Sequence, residues 1–387
     1  VKDYMQSICS HTPRDYQIQG VYDALKYKRK LLLSPTASGK SLMIYSIVRY
    51  FVEQDKNILL IVPTTSLVEQ MYKDFEDYGW NSEEHCHRVY GGSERVSNKP
   101  VVISTWQSIY KLEKPFFDRF DVVIGDEAHQ FKSKSLISIM SKLHDAKYRF
   151  GFTGTLDGTQ THKLVLEGLF GPVFKVISTK ELIERKQLAD FKIKCIILKY
   201  PENVCKLVKG FTYPDEMNFL TQHEGRNNFI RDLAINLKGN SLILFTYVEK
   251  HGKILFDLIK EKVYNRKVFF IHGGTEAEDR EAVRHITEKE NDAIIVASYG
   301  TFSTGVNIRN LHNIVFSSPT KSKIRSLQSI GRVLRLGENK DQATLYDIAD
   351  DLRYGPYTNF TLKHYEERVK IYSEERFPFT STNVRIS

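Results

Sequence analysis

Ser34-Pro-Thr-Ala-Ser-Gly-Lys-Ser41 is the stretch on which the reading of this chain turns. It follows the apolar run Leu31-Leu32-Leu33 and opens a second apolar segment at Leu42. A strand that breaks into Gly-Lys-Ser and continues as a helix is the setting of a phosphate-binding loop. Backbone N–H groups and the helix N-terminus cradle phosphate oxygens, the lysine reaches the terminal phosphates and the hydroxyl takes Mg²⁺. Pro35, Thr36, Ala37, Ser38 and Gly39 would form the cradle, with Lys40 and Ser41 in the two side-chain roles. Ser34 stands where the general G-x-x-x-x-G-K-[ST] pattern has its first glycine.

Outward from this loop, short apolar runs alternate with amphipathic segments twice over. The first set is Leu31 to Leu33, Ile58 to Val62, Val101 to Ile103, Val122 to Ile124 and Tyr148 to Phe152; the second is Leu242 to Phe245, Val268 to Ile271, Ala293 to Ala297 and Ile314 to Phe316. Continuous apolar strands separated by helices predict parallel sheets covered on both faces, hence two tandem α/β domains. Gly171-Pro172 breaks the pattern and places the boundary between Gly171 and Lys192. The expected division is 1–172, 173–352 and a short helical extension over 353–387. Lys180 to Leu188 reads as a short helix, Lys192 to Lys199 as a strand, 200–216 as loop and 217–238 as a helix. Tyr365, Val369 and Tyr372 fall on one helical stripe.

Asp126-Glu-Ala-His129 ends the run Val122 to Gly125. Parallel strands present their C-terminal ends to a ligand, so both carboxylates are expected near the phosphates. Asp126 is placed to hold Mg²⁺, and Glu127 to orient and deprotonate an attacking water. Thr153-Gly-Thr155 follows the next strand and would sense the phosphate state through the Asp126 loop. Upstream, Arg14-Asp-Tyr-Gln17 offers an amide that can pair with both donor and acceptor positions of adenine; a solvated helix start is an equal reading of the same residues. Gln328-Ser-Ile-Gly-Arg-Val-Leu-Arg335 sets Gln328, Arg332 and Arg335 on one helical face, where two arginines can neutralise charge on a transferring phosphate.

The 387 residues carry a net charge of +9, which fits a polyanionic partner without requiring one. No apolar run approaches the length of a membrane span. Four cysteines without CxxC spacing read as free thiols in a reducing compartment, and nothing completes a metal set around His85-Cys86-His87. The chain opens at Val1 rather than Met, which reads as a piece lacking an N-terminal region.

In order, Gln17, TASGKS, Pro63-Thr64-Thr65, Thr105-Trp-Gln-Ser108, DEAH, TGT, Ile271-His-Gly-Gly-Thr275, Thr304-Gly-Val-Asn307 and QSIGRVLR resemble the motifs of superfamily 2 helicases and translocases, from about Thr12 to Ile348. In detail the chain is most similar to the recombination DNA helicases of T4-like phages. The resemblance implies two RecA-like domains and hydrolysis of ATP with Mg²⁺. It implies arginine fingers at Arg332 and Arg335, a γ-phosphate or water contact at Gln328, and nucleotide contacts at Gly305 and Asn307. Coupling of hydrolysis to movement would run through His129, Thr153 and Thr155. Many relatives carry Asp where this chain has Asn307. Nucleic acid would run over Pro63, Thr64, Gly91, Gly92, Thr105, Thr246, His272, Gly273 and Thr301. Trp106 could stack a base, although core packing is the stronger reading. The implied partner is branched or single-stranded DNA, with RNA in R-loops, engaged by a monomer in the cytoplasm of an infected bacterium. An RNA helicase, a restriction-system translocase subunit and an ATP-switched annealing clamp are the rival readings.

Overall fold

The computed structural model describes residues 1–387 except positions 306, 307, 320, 321, 323–329, 332, 333, 337–339 and 341; at 277 and 303–305 it describes the backbone. The chain divides into two compact units, Val1–Ser178 and Thr179–Ser387.

The first unit holds seven strands: β1 (Arg29–Leu33), β2 (Ile58–Val62), β3 (Cys86–Val89), β4 (Val101–Thr105), β5 (Val122–Asp126), β6 (Tyr148–Thr153) and β7 (Val173–Lys175). They pair in parallel in the order β3-β4-β2-β5-β6-β1-β7. Strands β2, β4 and β5 are buried along their whole length, which is why they read as unbroken apolar runs. Helix Lys40–Val52 is buried on most sides, from Leu42 through Val48. Helix Thr65–Asp77 buries one stripe, Val68, Met71 and Phe75, and starts where the Thr64 side chain accepts the Leu67 N–H. Gly125 and Gly151 are register partners on β5 and β6. A Cβ on Gly125 would come within 2.6 Å of Phe131, and one on Gly151 within 2.9 Å of Leu31 and Phe170. The two glycines thus let the Phe131 and Phe170 rings, edge-on to each other, pack directly on the sheet.

The second unit repeats the scheme with β8 (Asp190–Lys199), β9 (Ser241–Phe245), β10 (Val268–Ile271), β11 (Ile294–Ser298), β12 (Asn313–Phe316), β13 (Gln342–Asp351) and β14 (Phe379–Arg385), in the order β10-β11-β9-β12-β13-β8-β14. All of these pairings are parallel too. Two aspartates on β13 anchor the two helical layers. Asp347 receives Arg368 at 2.8 Å and the Tyr372 hydroxyl at 2.7 Å, both from helix Phe360–Glu374. Three residues on, and so on the opposite face, Asp350 receives Arg226 of helix Glu224–Asn236 at 2.8 Å and the Tyr200 hydroxyl at 2.7 Å. All four charged side chains are at most 1% exposed.

Several expected boundaries move. Strand β7 pairs with β1, so residues 173–178 go with the first unit and the break falls at Ser178 rather than at 172. The segment 200–216 is not loop: it forms helix Glu202–Val208 and the start of helix Tyr213–Gln222. Pro214 sits in that helix's first turn, where a missing N–H costs nothing, behind a Thr212–Asp215 capping box. The single helix expected over 217–238 breaks at His223, whose ring accepts the Arg226 N–H at 3.2 Å and restarts the chain as helix Glu224–Asn236. The extension after 352 carries its expected helix, with Tyr365 and Tyr372 buried, and then adds the unforeseen edge strand β14. Among the described residues no helix is long and apolar enough to cross a membrane.

Candidate nucleotide and nucleic-acid sites

The loop Ser34–Gly39 hangs from the C-terminal end of β1 and is tied down from three sides. The Ser34 N–H bonds the Thr153 carbonyl of β6 at 2.9 Å. The Ser34 and Ser38 hydroxyls lie 2.5 Å apart, and Ser38 donates to the Pro35 carbonyl at 2.6 Å. Serine in place of the usual first glycine therefore acts as an internal brace. Ala37 (φ +66°) and Gly39 (φ +79°) are left-handed, which turns successive N–H groups toward one concavity ahead of helix Lys40–Val52.

Gln17 closes the third side. Its Oε1 accepts the Arg14 N–H at 2.8 Å, and its Nε2 donates to the Ser38 carbonyl at 2.9 Å. The Tyr16 hydroxyl donates to the same carbonyl at 3.1 Å, and the Arg14 guanidinium donates to Tyr16 at 2.8 Å. In this arrangement the Gln17 amide clamps the loop, and its expected pairing with adenine stands as a proposal. A Cβ on Gly39 would overlap Gln17 Nε2. Gly39→Ala is expected to displace the clamp as well as strain a left-handed residue by about 1–2 kcal/mol. Nucleotide affinity should fall about tenfold, read by equilibrium titration; an unchanged affinity would remove Gln17 and Gly39 from the loop's construction.

Lys40 Nζ donates to Glu127 Oε1 at 3.1 Å and lies 3.8 Å from Asp126 Oδ1. Glu127 is left-handed (φ +50°), its own N–H bonded to Asp126 Oδ1 at 2.9 Å, and this sharp turn brings consecutive carboxylates onto one ammonium. Burial pushes both carboxyls up. Lys40 and His129 outweigh it at Glu127, which is held well below the usual range, while Asp126, farther from the ammonium, stays raised. His129 Nδ1 lies 3.3 Å from Glu127 Oε2 and 2.9 Å from Thr153 Oγ1. An ionised carboxylate only accepts, so Nδ1 carries the proton. Thr153 Oγ1 in turn donates to the Thr155 carbonyl at 3.0 Å. Lys40, Glu127, His129, Thr153 and Thr155 form one continuous bonded path.

The strand ends divide into two groups. The phosphate loop, the DEAH turn and the TGT turn follow β1, β5 and β6, which are neighbours. Pro63 and Thr64, Gly91 and Gly92, and Thr105 follow β2, β3 and β4, the neighbours on the other side. In the second unit Thr246, His272 with Gly273, and Thr301 follow β9, β10 and β11, again three neighbours. Gly91 (φ +50°) and Gly92 (φ +93°) are exposed and left-handed. The hydroxyls of Thr105 and Thr301 are buried and bonded internally, to Ser108 and Ser298, both at 2.8 Å. In this arrangement they serve their own turns. Trp106 packs on the core, its ring edge-on to Tyr110.

Gln328, Arg332 and Asn307 lie outside the described residues. Gly305 ends the helix Tyr299–Gly305. Arg335 offers its carbonyl to the buried Lys340 ammonium at 2.8 Å; burial pushes that ammonium down to about 7. Reading the sequence missed Lys340, Tyr16 and Ser34 as supporting residues, and also Tyr78, whose hydroxyl lies 2.7 Å from Ser41 Oγ. No local pattern marks them, because each acts on a residue distant in sequence or through the backbone.

A phosphate loop, a paired carboxylate turn and a second sheet of the same wiring define a helicase core. Residues 10–158 match the type III restriction enzyme res subunit family, and residues 225–337 the helicase conserved C-terminal domain. The chain is 37% identical to the ATP-dependent DNA helicase uvsW of Enterobacteria phage T4, over 97% of this chain and 78% of that protein. It is 27% identical to the DNA 3'-5' translocase XPB2 of Sulfurisphaera tokodaii, over 86% of this chain and 80% of the other. A putative HsdR subunit fragment from Vibrio vulnificus shares the fold, with a TM-score of 0.70 at 17% identity over 99% of this chain and 71% of that one. The chain belongs to the family of the T4 uvsW helicase, within the superfamily 2 helicases: an ATP-driven nucleic-acid unwinding enzyme with two RecA-like domains.

Proposed function

We propose that the chain is an ATP- and Mg²⁺-dependent DNA motor that unwinds or branch-migrates branched intermediates such as forks, crossovers and R-loops. It would work as a monomer in the cytoplasm of a phage-infected bacterium. The observation that carries the motor reading is the bonded path from Lys40 through Glu127 and His129 to Thr153. It ties the group suited to phosphate to the group suited to water, and both to the turn after β6. The DNA reading draws on the T4 relative.

The donor set fits a nucleotide phosphate with Mg²⁺. Ser41 and Asp126 offer hard oxygens of the kind Mg²⁺ takes, and left-handed Ala37 and Gly39 shape a concavity for phosphate. Bound Mg²⁺ supplies charge neutralisation on phosphate oxygens. Lys40 turns from Glu127 to phosphate. Glu127, relieved of its nearest counter-charge, rises toward the ordinary carboxylate range and accepts a proton from water. His129 keeps Glu127 oriented and passes its position to Thr153 and Thr155. Gln328, Arg332 and Arg335 are proposed as phosphate contacts, and Gly305 and Asn307 as nucleotide contacts. Arg14 remains a candidate contact at the rim. Pro63, Thr64, Gly91, Gly92, Thr105, Thr246, His272, Gly273 and Thr301 are proposed to face nucleic acid, Thr105 and Thr301 through their backbone.

ATPase rates measured alone, then with single-stranded DNA, RNA and branched DNA, test this reading. Branched DNA should stimulate most. Greater stimulation by RNA would replace it with an RNA helicase, and no stimulation by any of them with an ATP-switched clamp.

A further inference from the structure

Helix Thr65–Asp77 touches both groups of strand ends. It starts at Thr64, among the proposed nucleic-acid contacts, and is capped at its far end by Tyr78, whose hydroxyl lies 2.7 Å from Ser41 Oγ. Thirteen residues span about 20 Å. Gln70, Asp74 and Tyr78 succeed one another at four-residue spacing, on one face. Gln70 donates to Asp74 Oδ1 at 2.7 Å. The Asp74 carboxyl is raised by burial, which the hydrogen bond from Gln70 opposes. Tyr78 is held firmly: its carbonyl accepts the Ser10 N–H at 3.2 Å, and its ring lies 5.2 Å from Tyr45 and 5.4 Å from His11.

We propose that Asp74 and Tyr78 are positioning residues that orient the Ser41 hydroxyl for a divalent cation and thereby tie this helix to the loaded state of the phosphate loop. The proposal rests on Ser41 being a metal ligand. A serine hydroxyl ligates through a lone pair and keeps its proton, which then needs an acceptor. The Tyr78 oxygen, 2.7 Å from Ser41 Oγ, is such an acceptor, and the Asp74 carboxylate lies one helical turn before it on the same face. An acceptor behind a ligand fixes its direction and raises its basicity, and losing one commonly costs 10- to 100-fold in metal affinity. Because the same helix carries Thr64 at its start, a Ser41 fixed on metal also fixes the end proposed to meet nucleic acid.

The test is equilibrium binding of a fluorescent ADP to the full chain, with Mg²⁺ and with EDTA, for Asp74→Asn, Tyr78→Phe and Ser41→Ala. Both positioning variants keep size and shape, and their thermal midpoints should match the parent. The expected result is an affinity in EDTA unchanged in all three, with the gain on adding Mg²⁺ reduced by about tenfold or more. A parental Mg²⁺ gain in both Asp74→Asn and Tyr78→Phe, with the gain lost in Ser41→Ala, overturns the positioning role alone. A parental gain in Ser41→Ala as well overturns the assignment of Ser41 on which it rests. An equal loss in EDTA and Mg²⁺ would mark a purely structural role and would also overturn it.

Discussion

Glu127→Gln is expected to lower ATP turnover by about 10²- to 10⁴-fold, the span of a positioned general base, while nucleotide binding is retained. The reason lies in what surrounds the carboxylate. Its Oε1 takes the Lys40 ammonium at 3.1 Å and its Oε2 faces His129 Nδ1 at 3.3 Å. A glutamine keeps the length and can still accept from one of them, so the turn at φ +50° should persist. What it lacks is any capacity to take a proton once Lys40 has turned to phosphate. Removing the charge also frees Lys40 from its strongest competitor for phosphate, so the variant should bind nucleotide at least as tightly as the parent. Steady-state turnover together with nucleotide titration separates the effects. Turnover within a few-fold of the parent would exclude Glu127 as the base and leave it a structural partner of Lys40.

The second large effect concerns stability. Arg368→Leu is expected to destabilise the second unit by about 3–5 kcal/mol, because it strands a buried charge. Asp347 has no exposure, and after the substitution its remaining named donor would be the Tyr372 hydroxyl. Burial opposes the Arg368 charge, and Asp347 more than restores it, so the guanidinium is held above its ordinary value. The pair is therefore costly to break rather than strongly stabilising in itself. Replacing both residues, Asp347→Leu with Arg368→Met, should cost much less than either alone. Urea unfolding of the full chain followed by hydrogen exchange on helix Phe360–Glu374 would read this. A double variant as unstable as the single ones would mean that the pair contributes real net attraction.

These aspartates also explain where the sequence is hard to read. The strands seen in advance, such as Ile58–Val62 and Ser241–Phe245, are continuous apolar runs in the middle of a covered sheet. Strand β13 escapes that reading because Asp347, Asp350 and Asp351 look like a solvated end. Their partners Arg226, Arg368 and Lys199 come from distant parts of the chain. Strand β14 is mostly polar and, apart from the half-buried Val384, exposed, and β3 mixes His87 and Arg88 into four residues, so neither carries a periodic signal. Helix Tyr213–Gln222 is hidden by Pro214, which reads as a breaker when its position within a capped first turn is unknown. The phosphate loop and DEAH turn were legible because their chemistry is local. The grip of Tyr78 on Ser41 spans 37 residues, and nothing in either neighbourhood announces it.

The two sheets share one wiring diagram: adding seven to each strand number of the first gives the order of the second. The counterpart of β1, which ends in the phosphate loop, is β8, which runs into Tyr200. The counterpart of β6 is β13, and Tyr200 closes onto its Asp350 at 2.7 Å with Arg226 behind. The corresponding socket in the second sheet is filled from within, by the chain's own cation and anion. In the first copy the pairing of Lys40 with Glu127 and Asp126 is partly open to solvent and can be exchanged for phosphate; in the second the pair is fully buried and fixed. One body of the pair is thereby built to respond, and the other to keep its shape while the first responds.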